Sequence, residues 1–150
     1  MRTLPTTDND EEYPPILLVR TDYRDEDGWL RVRADLDRPW IAGPHDDGLK
    51  EEVLAVDDPR WADAAHADVL AALAAAGGGD DPSAAGWDVV FLADAASMTG
   101  PEATLLAVST DPEETEGPFR VHALQTPHKM HCNLFQGNLD YDEFAGELPD

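Results

Sequence analysis

Basic residues are scarce in this chain of 150 residues: ten Lys and Arg stand against 32 Asp and Glu, a formal net charge of −22. Because nucleic-acid binding needs clustered Lys and Arg to neutralise phosphates, this composition argues against it. The single cysteine cannot form an internal disulfide, so a reducing cytoplasm is the expected location. No apolar run approaches the roughly 20 residues that span a bilayer, so no membrane association is expected.

Sequence signatures of common catalytic sites are also missing. The glycine run Gly77-Gly78-Gly79 lacks the Lys-Ser/Thr pair of a phosphate-binding loop and follows a predicted helix rather than a strand. There is no G-x-S-x-G nucleophile motif. The sequence therefore predicts no catalytic residue and favours a non-enzymatic protein.

Hydrophobic residues make up 42% of the chain and charged residues 28%, which is typical of a folded domain. Residues 1–15 are polar and acidic and end in Pro14-Pro15, so we predict a flexible N-terminal arm followed by a single α/β domain over residues 16–150. Apolar runs predict five strands, at residues 16–19, 51–56, 87–94, 105–109 and 119–124. We expect a mixed, mostly parallel sheet flanked by helices, with an antiparallel fifth strand.

Helix signals lie between these strands. Trp29, Val32 and Leu36 share one face of a predicted first helix. Asp58 as N-cap and Pro59 at the first helical position predict a second helix that continues to Ala76. The capping-box spacing Thr99–Glu102 predicts a helical turn, and Thr126-Pro127 predicts the start of a helical segment with Met130, Leu134 and Phe135. Asp140 and Glu143 form a second capping box, which predicts a C-terminal helix from Tyr141. A hydrophobic staple between Leu139 and Phe144 would fix its start.

Carboxylates follow three of the predicted strands: Asp22, the pair Asp57 and Asp58, and Asp94. If these strands are parallel, their carboxyl ends lie along one edge, where open α/β sheets usually bind ligands. Such a group could bind a divalent cation such as Mg²⁺. The alternative is that these side chains are helix caps and solvated surface groups, since Asp58 already fits a cap.

A second group combines metal-ligating residue types. His128, His131 and Cys132 have the spacing i, i+3 and i+4, which lets three side chains converge on one helix, and His122 from the neighbouring strand could add a fourth ligand. The alternative interpretation is a small buried thiol among surface imidazoles.

Two sequence motifs of this chain are similar to motifs of a known family. The segment Arg20-Thr21-Asp22-Tyr23 fits R-T-D-[FY], and residues 133–144 fit N-L-x₃-N-x-D-[FY]-x-E-F. On these motifs the chain resembles an uncharacterised bacterial family of small acidic proteins, known as a domain of unknown function. The resemblance implies a shared fold and no established activity.

The charge then predicts a class of function. A dense anionic surface attracts cationic partners and speeds their association, so we expect a recognition protein of the immunity, inhibitor or mimic type that binds a basic protein surface without a cofactor. One alternative is a divalent-metal-dependent enzyme or sensor that uses the strand-end aspartates. A second is a scaffold whose acidity is an adaptation to salt. The oligomeric state cannot be read from the sequence.

Overall fold

A five-stranded sheet forms the centre of the protein. The computed structural model describes residue 4 and residues 15–38, 53–87, 89–99, 102–111, 117–124, 126–130 and 141–144. The strands are β1 Ile16–Arg20, β2 Val53–Val56, β3 Val89–Ala93, β4 Thr104–Ser109 and β5 Phe119–His122, in the spatial order β2-β1-β3-β4-β5. β1 is parallel to β2 and β3, while β3–β4 and β4–β5 are antiparallel. The predicted mixed α/β sheet is therefore confirmed.

Helices cover both faces of this sheet. α1 comprises Glu26–Leu36, α2 comprises His66–Ala76, α3 comprises Ala95–Thr99, and residues 126–130 are also helical. Ile16 and Leu18 of β1 pack with α1, whereas Leu17 and Val19 pack with α2 on the other side. Because both faces of β1 and β3 are buried, their sequences are continuous apolar runs rather than alternating ones.

The first helix forms as predicted. The Asp25 carboxylate accepts a hydrogen bond of 2.9 Å from the backbone N–H of Gly28, which caps the helix start. Trp29, Val32 and Leu36 are buried on the face that meets the sheet. The apolar spacing was sufficient here because the pattern and the cap agree.

The predicted second helix begins too early. Asp58 does cap a turn, but Pro59–Trp61 is a short 3-10 turn, and α2 begins only at His66. Between them Asp63 adopts a left-handed conformation with φ of 64°, and its N–H donates to the carbonyl of Thr21 at 2.8 Å. Trp61 is fully buried in the α2-side core, so burial of this ring and the bond to Thr21 interrupt a sequence that would otherwise continue as helix.

Two other helix predictions differ from the structure. The predicted turn that opens at Thr99 is wrong, because Thr99 is the last residue of α3. At the C-terminal end, Tyr141–Phe144 is a 3-10 turn, and the predicted cap Asp140 and staple Leu139 lie outside the described residues. The Tyr141 hydroxyl lies 2.9 Å from the carbonyl oxygen of Ala107, which fixes this turn on the sheet.

The N-terminal region has one described residue before Pro15. Leu4 is buried in the α2-side core, so this point of the predicted arm is packed against the domain. None of the helices in the described part of the chain is long and apolar enough to cross a membrane.

Candidate functional site

The strand topology brings the predicted carboxylates to one edge of the sheet. The strands β1, β2 and β3 are parallel, so their carboxyl ends lie side by side. This part of the sheet, here called the strand-end edge, is followed in the chain by Asp22, Asp57 and Asp94. The chain leaves β1 toward β2 through α1 on one face and returns to β3 through α2 on the other face. The sheet thus has a topological switch point between β1 and β3, the kind of position where ligands usually bind in open α/β sheets.

Arg20, the last residue of β1, lies at the centre of this edge and is only 3% exposed. Its Nε donates to the carbonyl of Asp22 at 2.9 Å, its Nη2 to Glu26 Oε2 at 2.9 Å, and its Nη1 to Asp57 Oδ1 at 3.4 Å. The guanidinium carbon also lies 4.3 Å from the ring centroid of Tyr23 and 4.9 Å from that of Trp29. Arg20 therefore joins β1, the α1 start and the β2 end through one planar group.

Asp22 is buried and bound by Arg24. Its Oδ1 accepts from the Arg24 backbone N–H at 3.1 Å and from Arg24 Nε at 3.0 Å. Burial raises the pKa of this carboxyl, but the hydrogen bonds from Arg24 and the charges of Arg24 and Arg20 together outweigh it, so the pKa lies below its ordinary value of 3.8. Asp22 is thus held ionised within the domain.

Tyr23 places a phenol beside this network. Its hydroxyl is buried and makes no hydrogen bond of standard geometry with the described residues. Burial first, and then the neighbouring carboxylate of Asp57, raise its pKa to about 12. Tyr23 is therefore neutral over the whole physiological pH range.

Asp58 has a local role. Its carboxylate accepts from the Arg60 backbone N–H at 3.0 Å and from Arg60 Nη2 at 2.7 Å. These contacts cap the 3-10 turn and lower the pKa of Asp58. The capping alternative proposed from the sequence accounts for this residue.

Asp94 caps α3 and pairs with an arginine from the far side of the sheet. Its Oδ1 accepts from the backbone N–H and the hydroxyl of Ser97, both at 3.1 Å. Its Oδ2 accepts from Arg120 Nη2 of β5 at 2.6 Å. Arg120 also donates to the Thr104 hydroxyl at 3.3 Å, so the pair ties β3 to the two antiparallel strands.

Each predicted carboxylate is thus bound by an arginine of the same chain. Mutual repulsion between the aspartates, which would favour a cation, is relieved by Arg20, Arg24, Arg60 and Arg120. Among the described residues no group of three or more His, Cys, Asp or Glu side chains could hold a metal ion. The described geometry therefore shows four arginine–carboxylate pairs at the positions where the sequence suggested a cation site.

The two described histidines of the second predicted group make separate contacts. His128 is fully buried, and its Nε2 lies 2.6 Å from the carbonyl oxygen of Leu36, so this nitrogen carries the proton and donates. The His122 Nδ1 lies 3.2 Å from Glu102 Oε2. His131 and Cys132 lie outside the described residues.

Sequence reasoning missed the residues that organise the site. Arg20 and Tyr23 were noted only as part of R-T-D-[FY], and Arg120 was assigned only to a strand. A signal was present, since an arginine that ends a fully buried strand must be paired with acids or rings. The motif therefore marks a structural cluster in which Arg20 contacts the rings of Tyr23 and Trp29.

Comparison with known proteins places the chain in a family. A family model described as "Domain of unknown function (DUF6924)" matches residues 15–150. The chain belongs to this family. The DUF6924 match includes all five strands and the arginine–carboxylate network, and it confirms the resemblance to a family of unknown function. No curated protein and no solved structure gives a significant match.

Proposed function

We propose that this DUF6924 protein is a non-enzymatic recognition protein that binds a basic protein surface with its strand-end edge. The observation that carries the proposal is that the four arginines of this edge are already bound by carboxylates of the same chain. Even if every Lys and Arg of the chain paired with one acid, the net charge of −22 would leave 22 acids without a basic partner. A partner that carries Lys and Arg would supply the missing counter-charge.

Several acids at this edge face solvent while the arginines are buried or engaged. The side chain of Glu26 is 67% exposed and that of Asp57 is 47% exposed, although both contact Arg20. Asp27 and Asp63 are exposed as well. Since an edge lined by one sign of charge raises the rate of association with the opposite sign, these residues favour fast, salt-sensitive binding of a cationic partner.

The internal contacts of these aspartates support binding rather than chemistry. Asp22 accepts two hydrogen bonds from Arg24 at Oδ1, and the two oxygens of Asp94 are bound by Ser97 and Arg120. The pKa of Asp22 is lowered, which does not suit a general acid near neutral pH. The single cysteine is consistent with a reducing compartment, and we propose that the protein acts in the cytoplasm.

The test measures binding of an arginine-rich peptide by calorimetry with the full chain at low and high salt. We expect affinity to fall steeply as salt rises, because released counter-ions and screening both oppose binding. The variant pair D27N/D63N removes two exposed charges at the strand-end edge. The matched control D80N/D111N removes two exposed charges that lie in other connections, one between α2 and β3 and one just after β4.

The outcomes separate the alternatives. Weaker binding by D27N/D63N than by D80N/D111N supports the strand-end surface, whereas equal loss places the interaction elsewhere. Absence of binding at low salt would refute the proposal. If salt then raises the melting temperature and no cationic ligand does, the acidity is an adaptation of a scaffold.

A further inference from the structure

β2 is the outermost described strand on its side of the sheet, and it is more exposed than every other strand. Among the described residues β2 pairs with β1 alone, so its outer backbone groups have no strand beside them. β1 and β3 are fully buried, whereas all four residues of β2 are partly or largely accessible, and Leu54 is 38% exposed. An accessible edge strand is a template for pairing with another chain.

The described residues of β2 include none of the charged side chains or prolines that usually block such pairing. Edge strands are commonly shielded by charged residues, prolines or bulges. The other edge strand, β5, has Arg120 in an ion pair with Asp94 and His122 beside Glu102. β2 has the sequence Val-Leu-Ala-Val, with no charged residue and no proline. Its short length is the only shield the sequence of the strand provides.

Acidic residues lie on both sides of this apolar strand in the sequence. Glu51 and Glu52 precede it, and Asp57 and Asp58 follow it directly. The side chain of Asp57 is 47% exposed and its contact with Arg20 is long, at 3.4 Å, so this carboxylate can also be reached by a cation from solvent. A second copy of this chain, with the same charge of −22, would be repelled from this edge, while a basic segment would be attracted.

We propose that β2 binds an extended basic peptide segment of a partner protein, which adds to the sheet as a sixth strand. This inference rests on the proposed function and names the partner element and the surface it uses. Main-chain hydrogen bonds along β2 hold the segment, and its Lys or Arg side chains meet the exposed carboxylate of Asp57 at the end of the strand. An apolar residue of the segment packs on Leu54, which lies opposite Leu17 in the register and so belongs to the α2 side of the sheet.

The experiment uses the full chain and a synthetic peptide of about eight residues that alternates lysine with valine. Its control is the same peptide N-methylated at every backbone amide, which keeps every charge and side chain but removes the main-chain donors of both strand edges. We expect N-methylation to weaken binding about tenfold or more, since it removes hydrogen bonds that hold the added strand. We also expect slower amide hydrogen exchange over residues 53–56 with the unmodified peptide.

Two protein variants separate strand addition from charge attraction. Leu54→Lys places a cation on the edge strand, and Leu30→Lys makes the same charge change on α1, where Leu30 is 58% exposed. We expect about tenfold weaker peptide binding for Leu54→Lys and less than about twofold for Leu30→Lys. Circular dichroism and thermal melting establish that both variants are folded.

Equal binding of the two peptides, or equal effects of the two variants, would overturn strand addition and leave charge attraction as the mode of binding. Binding of the arginine-rich peptide without any binding of the alternating peptide would also overturn it. If neither peptide binds at low salt, the proposed function fails together with this inference.

Discussion

Replacing Arg20 measures how much the strand-end edge depends on one buried guanidinium. In Arg20→Ala the carbonyl of Asp22 loses its donor, and an unsatisfied buried acceptor costs about 1–3 kcal/mol. The contacts with the Tyr23 and Trp29 rings contribute about 0.5–1 kcal/mol each. Glu26 and Asp57 are exposed and regain water, so losing their ion pairs adds little. The expected loss in free energy of unfolding is about 3 kcal/mol.

Arg20→Lys is the sharper variant because it keeps the positive charge. A lysine ammonium cannot reach the carbonyl and both carboxylates from one planar group, nor stack on two rings. We therefore expect this variant to lose about 2 kcal/mol, most of the effect of alanine. If charge alone mattered, lysine would restore the wild-type stability.

The assay is urea denaturation of wild type, Arg20→Ala and Arg20→Lys at neutral pH, followed by tryptophan fluorescence. The matched control is Arg60→Lys, because Arg60 is exposed and its partner Asp58 lies only two residues away in the sequence. The urea midpoint of this control is expected to remain at the wild-type value. Wild-type stability of Arg20→Lys, or an equal effect of Arg60→Lys, would refute the assigned role of the Arg20 geometry.

Three further variants test other parts of the structure. The pKa of Asp22 is lowered in the folded state, so its contribution to stability is present above pH 3.8 and is lost as pH falls through the folded value. The variant Asp22→Asn should therefore lower the stability at pH 6 and lower it less at pH 3. A difference in urea midpoints that is the same at both pH values would contradict this. The pKa of Tyr23 is raised to about 12 from 10.0, so this phenol ionises in the unfolded state at a lower pH than in the folded state, and stability falls above pH 10. The variant Tyr23→Phe should remove this loss of stability between pH 9 and 11, measured by the same denaturation series. A Cβ on Gly28 would lie 2.6 Å from Met98 Cβ, so Gly28→Ala should destabilise the protein by about 1–3 kcal/mol through overpacking. The control Gly79→Ala should not destabilise it, because a Cβ on Gly79 meets no atom within 4 Å. Equal melting temperatures of the two variants would show that α1 and α3 can separate freely.

Local signals in the sequence were reliable where pattern and cap agreed. The five strands and α1 could be predicted because continuous apolar runs and the Trp29, Val32, Leu36 spacing each have one structural solution. The start of α2 could not be predicted, because Asp58-Pro59 is a good helix start and nothing local shows that Trp61 is buried or that Asp63 bonds to Thr21. Long-range contacts decided that boundary.

The placement of the site was predictable and its chemistry was not. Acids after three apolar strands predicted Asp22, Asp57 and Asp94 at one edge, and the parallel pairing of β1, β2 and β3 confirms it. The arginine partners could not be assigned, since Arg120 reaches Asp94 from 26 positions away in sequence. Without those partners the same acids fit a cation site.

The sequence by itself determined the net charge of −22, the strand and helix periodicities and the family motif, because these depend on residue identity and short-range spacing. Only the tertiary structure decided that Arg20 is buried and contacts two rings, and that each strand-end acid has an arginine. It also decided that β2 is the outermost of the described strands on its side of the sheet. The physical reason is that ion pairing and edge exposure depend on which strands become neighbours. Strand order is set by the packing of two apolar faces over distances that no local pattern encodes.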